Sequence, residues 1–145
     1  MNYPTTPTAP DPTAPGRTPS NTATSIDLQA LVASLGVIGD EWRADRAERQ
    51  DRTSLDAADF DRLAAAGFLA AAAPTDQGGG IQELPAATRP LAEGLRGLAG
   101  GDPSVALVAA MHPSVLGYWL ATPDCGRADW AEQRRAVFAS AVAGS

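Results

Sequence analysis

The chain has 145 residues, enough for one domain with a hydrophobic core of its own. Its net charge is −6, and its 11 basic residues, all arginine, form no basic patch, which argues against nucleic acid or an anionic membrane surface as a partner. A single cysteine, Cys125, excludes an internal disulfide and fits a reducing cytoplasm.

Residues 1–24 are a Pro/Thr/Ala tract with six of the 12 prolines and almost no large apolar side chain. Such a tract cannot balance the entropy of folding, so it reads as a disordered tail, either solubilising or translated from a misassigned start. It lacks the basic and apolar regions of a secretion signal. No stretch reaches the ~18 uninterrupted apolar residues of a membrane span. The expectation is a cytoplasmic protein.

Ser25 or Asp27 can cap a first helix in which Leu28, Leu31, Leu35, Ile38 and Trp42 recur at spacings of three and four. Gly36 and Gly39 weaken it. Beyond Trp42 the charged run EWRADRAERQDR reads as a solvated helix end, with Asp45–Arg49 and Glu48–Arg52 as pairs four apart. Thr53 or Ser54 then caps a short helix to about Ala66 that turns Phe60 and Leu63 inward and stops at a left-handed Gly67. Gln77 to Gly80 reads as a flexible loop. It lacks the Lys and Ser/Thr of a phosphate-binding loop, and no strand precedes it.

Glu83 to Ala99 is again helical, with Leu84, Ala87, Leu91, Leu95 and Leu98 on one side and Pro90 expected to bend or restart it. The longest apolar run follows, from Gly100 to Leu120. Asp102 as cap and Pro103 at the first position start a helix there. Val105, Ala109, Leu116 and Leu120 form one stripe and Val108, Met111, Val115 and Trp119 a second beside it, which predicts a central helix buried on most sides. The only histidine, His112, lies between the stripes, and Pro113 is expected to kink the helix behind it. It reads either as a neutral core residue with one hydrogen bond or as part of a cavity wall. After a turn at Pro123-Asp124-Cys125-Gly126, where Cys125 reads as a structural thiol, Asp129 can cap a last helix from Trp130 to about Ala141, with Trp130, Val137 and Phe138 inward. No segment alternates as a strand would. The fold class is all-α, an up-and-down helical bundle over residues 25–145.

The segments RQDRTSLDAADFDRLAAAGFLAAAAPTDQGGGIQ (Arg49 to Gln82) and PLAEGLRGLAGGDPSVALVAAMH (Pro90 to His112) carry a resemblance. In their order of helix, Gly-Phe, Pro, glycine loop and Asp-Pro-Ser helix start, they resemble the amino-terminal helical domain of the acyl-CoA dehydrogenase family. That resemblance implies one part of an FAD-dependent oxidoreductase acting on the CH–CH bond of acyl-CoA thioesters, oligomeric and served by an electron-transfer partner when complete. It implies acyl-pocket wall and subunit contacts for this part, with Leu107, Val108, Met111, His112 and Val115 as wall candidates. The family's catalytic glutamate and flavin-binding β-domain have no counterpart among these residues, so no catalytic residue is assigned and FAD is not expected to bind this chain alone. No metal is expected. A flavin-dependent monooxygenase of the same fold, using His112 with Tyr118, is the alternative. A helical interaction module without chemistry is the third reading.

Overall fold

The structure, a computed structural model, describes residues 25–123 and 126–144. The expected tail and the turn residues Asp124 and Cys125 lie outside the described residues. Among the described residues the chain is all-helical, with α1 (Leu28–Ala44), α2 (Arg46–Gln50), α3 (Ala57–Ala65), α4 (Phe68–Ala71), α5 (Leu84–Gly101), α6 (Pro103–Ala121) and α7 (Ala128–Ala143), plus a 3-10 turn at Thr75–Gln77. The only bridge of β type among them joins Pro74 to Ile81.

Asp27 starts α1 by accepting from the amides of Gln29 and Ala30 at 2.9 and 3.3 Å, satisfying donors that have no partner within the helix. The expected stripe is the buried one: Leu31, Leu35, Ile38 and Trp42 are all in the core, with Leu28 at its edge. The stripe packs along α5, the most extensive helix pair in the molecule. Glycines let these two helices touch backbone to backbone. A Cβ on Gly39 would lie 2.3 Å from the carbonyl oxygen of Gly97, and one on Gly101 would lie 2.3 Å from that of Gly39. Gly39, which weakens α1 as an isolated helix, is thus what allows it to pack.

Three boundaries differ from expectation. The cap of α3 is Asp56, whose carboxylate accepts from the Ala58 amide at 3.0 Å, and not Thr53 or Ser54. Gly67 ends α3 as expected, with φ of 86°. α5 runs through Pro90 without restarting; the carbonyl that loses its donor belongs to the exposed Ala86, where water can serve instead. α7 begins at Ala128, so Asp129 lies inside its first turn and pairs with Arg127 at 2.6 Å instead of capping. Among the residues expected inward on α7, Phe138 is fully buried and Val137 and Trp130 partly so.

The triple glycine is a packed turn and not a flexible loop. Its amides are committed within the fold: Gly78 donates to the Thr75 carbonyl, Gly79 to Pro74 and Gly80 to Ala71. A Cβ on Gly79 would sit 2.0 Å from the Ala73 carbonyl oxygen. No amide is left to cradle a phosphate.

The second correction concerns α6. Asp102 caps it and Pro103 opens it as expected, and it stays helical through Pro113. It is not buried on most sides. Val105, Ala106, Ala109 and Leu116 enter the core, whereas Leu107, Val108, Met111, Val115 and Tyr118 face solvent. Averaged over its length, α6 is also long and apolar enough to cross a membrane, which a count of uninterrupted apolar residues does not reveal.

The α1–α5 contact makes two alanine substitutions diverge. Gly39→Ala drives a methyl into backbone and is expected to lower stability by about 1–3 kcal/mol. Gly36→Ala meets nothing within 4 Å and is expected to raise stability by up to about 1 kcal/mol through helix propensity. Urea unfolding of both variants checks the opposite signs.

Candidate functional site

The site is built on α6, and its geometry begins at the cap. One carboxylate oxygen of Asp102 accepts from the amides of Ser104 and Val105, both at 3.0 Å. The other accepts from Nε of Arg49 at 2.9 Å. The guanidinium of Arg49 also donates to Asp59 on α3 at 2.7 Å, and it lies over the Trp42 ring with 4.4 Å to the centroid. Arg52 adds a second contact to Asp59 at 3.3 Å. Arg49, Asp59 and Asp102 are all buried. Burial works against the charge of Arg49, but hydrogen bonds and attraction from Asp59 and Asp102 outweigh it and raise its pKa above the ordinary arginine value.

Here the expectation of a solvated helix end holds for the charged run except at Arg49, which is buried. The Glu48–Arg52 pair forms at 3.9 Å, but Arg49 turns inward to Asp59 and Asp102 and not to Asp45. The signal was present in the sequence: Arg49 follows Trp42 by seven residues and so continues the inward stripe of α1. A polar cavity of about 170 Å³ adjoins the cluster, lined by Arg52, Thr53, Ser54 and Ser104 among others. It is too small for a typical organic ligand, and the charges beside it satisfy one another, so the cluster reads as structural.

Further along α6, the wall candidates separate into two groups. His112 and Val115 line a groove of about 420 Å³ between α6 and α7, together with Leu116, Ala136, Val137 and Ala141. Leu107, Ala110, Met111, Ser114 and Val115 line a shallower depression of about 360 Å³ on the outer face. Val108 is exposed beside them and lines neither. Val115 alone borders both.

His112 is half-buried, and its Nε2 lies 2.8 Å from the Leu69 carbonyl oxygen on α4. A carbonyl can only accept, so Nε2 carries the hydrogen. The ring therefore ties α6 to α4, and the residue also lines the groove. At the far end of α6, Trp119 stacks on Trp130 with centroids 4.5 Å apart, joining α6 to α7. Among the described residues no group of three or more His, Cys, Asp or Glu side chains is placed to hold a metal.

No family model, no curated protein and no solved structure matches this chain.

Because Asp102 both caps α6 and pairs with Arg49, its variants separate the two roles. Arg49→Ala leaves the buried Asp102 without a cation and Asp59 with Arg52 alone, and is expected to cost about 3–5 kcal/mol. Asp102→Asn keeps an acceptor for the cap, so Asp102→Ala should be less stable than it by about 1 kcal/mol. Denaturant midpoints of the three variants give the ordering.

Proposed function

We propose that this chain is the amino-terminal helical part of an acyl-CoA dehydrogenase-like flavoenzyme and that the α6–α7 groove receives the acyl chain. The observation that carries the reading is the groove itself. Its lining is mainly apolar, with His112 and Ser140 as the polar members, and its volume of about 420 Å³ falls within the range of ligand sites. Support also comes from the order of elements: the α3 end at Gly67, the Pro74 and glycine turn, and the Asp102-Pro103 start of α6 follow one another as the family resemblance implies.

In this reading His112 and Val115 are the pocket wall, narrowed from the five residues first considered. Leu107, Val108 and Met111 serve contacts between protein surfaces. The α-proton base, the flavin-binding β-domain and the electron acceptor's docking site are supplied by other parts of the enzyme. FAD, bound by those parts, supplies the hydride acceptor, and this chain's contribution is to hold the acyl chain away from water.

The monooxygenase alternative draws less support. His112 and Tyr118 are six residues apart, which puts them about 120° apart around α6, and the histidine Nε2 is already directed to Leu69. The interaction-module reading is favoured by a specific observation, the apolar side chains exposed along the outer face of α6.

Retrieval of the tagged chain from its native cells tests the proposal. The assembly should be yellow with flavin, and the flavin should bleach on addition of an acyl-CoA. Bleaching by a nicotinamide cofactor instead would favour the monooxygenase, and a colourless assembly would overturn both flavin readings. In an active assembly, Ala136→Phe places a ring in the groove from an exposed position and is expected to weaken long-chain acyl-CoA use about tenfold or more relative to short-chain. Steady-state kinetics over a series of chain lengths measures this.

A further inference from the structure

We infer that the outer face of α6 is the docking surface for a second copy of this chain, α6 packing antiparallel against α6 about a twofold axis near Met111. The inference goes beyond the flavoenzyme reading and does not depend on it.

The face is defined by exposure. Leu107 is 72% exposed, Met111 64% and Tyr118 64%, with Val108 and Val115 beside them. At about 100° per residue these five side chains cover roughly 100° of arc, and Met111 lies near its centre both around and along the helix. A row of large apolar side chains this continuous marks an interaction surface. Met and Tyr are types enriched at interfaces, since one is adaptable and the other combines a large apolar ring with a polar tip.

Three properties single out a second copy as the occupant. The first is charge: the chain carries −6, yet α6 has no charged residue from Pro103 to Ala121, so two copies can meet here without bringing like charges together. Electrostatic attraction to an anionic lipid surface, by contrast, has no basic residue on this helix to act through.

The second is area. The exposed parts of the five side chains amount to on the order of 500 Å² per copy, so a symmetric pair would bury about 1,000 Å², the lower bound for a specific interface.

The third is shape. A twofold interface must be complementary to itself. At the edge of this face Leu107, Ala110, Met111, Ser114 and Val115 line a shallow depression. A twofold mate can therefore lay its Met111 into the depression while receiving the first copy's Met111 in its own. The helix axes would then lie about 8–10 Å apart, the ordinary range of helix packing.

Sedimentation equilibrium of the full 145-residue chain tests the inference. The mass should be twice 14.9 kDa at micromolar concentration. Met111→Glu and Leu107→Glu, which change residues exposed in the single copy, should keep the helical circular dichroism and melting temperature of the unassociated chain and weaken self-association about tenfold or more. Val37→Glu, at an equally open position on α1, should leave the dimer intact. A monomer at every concentration would overturn the inference, as would a dimer that Val37→Glu dissociates and Met111→Glu does not. A monomer that binds neutral phosphatidylcholine vesicles, and loses that binding in Met111→Glu, would overturn it in favour of a bilayer.

Discussion

Arg49 holds a cation that is largely removed from water, and the way its charge is met fixes the relative placement of four helices. Its guanidinium bonds Asp59 on α3 and Asp102 at the head of α6, and it rests on Trp42 of α1 while belonging to α2. Such a group is costly to desolvate, and it is tolerated because its two anions are themselves buried and hydrogen-bonded. Asp102 is the hinge of the arrangement: one of its oxygens satisfies the orphan amides of α6 and the other satisfies Arg49. The start of the helix that carries the groove and the outer face is therefore set by an ion pair formed 53 residues earlier in the chain.

Around that clamp the backbone contact of α1 with α5 supplies the rigid floor. Glycines on both helices remove the side chains that would hold them apart, and α5 in turn packs on α6. The inner stripe of α6, Val105, Ala109 and Leu116, drops into the core this leaves. His112 then pins the middle of α6 to α4, and the Trp119–Trp130 stack pins its end to α7. The groove between α6 and α7 and the apolar outer face are what remain of α6 after these attachments are made.

Much of this was legible in the residues, because local signals decide local structure. The α1 stripe, the left-handed Gly67 and the Asp102-Pro103 start each depend on side chains within a few positions of one another. What was hidden depends on partners distant in sequence. Within the charged run after Trp42, which is solvated elsewhere, Arg49 looked solvated too because its two aspartates lie 10 and 53 residues away. The triple glycine looked flexible because its acceptors, the carbonyls of Ala71, Pro74 and Thr75, become close only when the turn folds. The two apolar stripes of α6 implied burial on both, but of the second stripe the described residues provide packing only for Trp119. Periodicity tells which side chains are apolar, not how much protein there is to cover them. For the candidate site, residue types pointed to α6, and only the fold divided them between groove and outer face.

If the Arg49 clamp governs the placement of α6, cutting it should loosen that helix at a distance. Amide hydrogen exchange by NMR on Arg49→Met, compared with the unaltered chain, measures this directly. The account predicts that protection falls along α6, from Ala106 towards Leu116, as well as in α2 and α3. Loss confined to α2 and α3, with α6 protected as before, would contradict it.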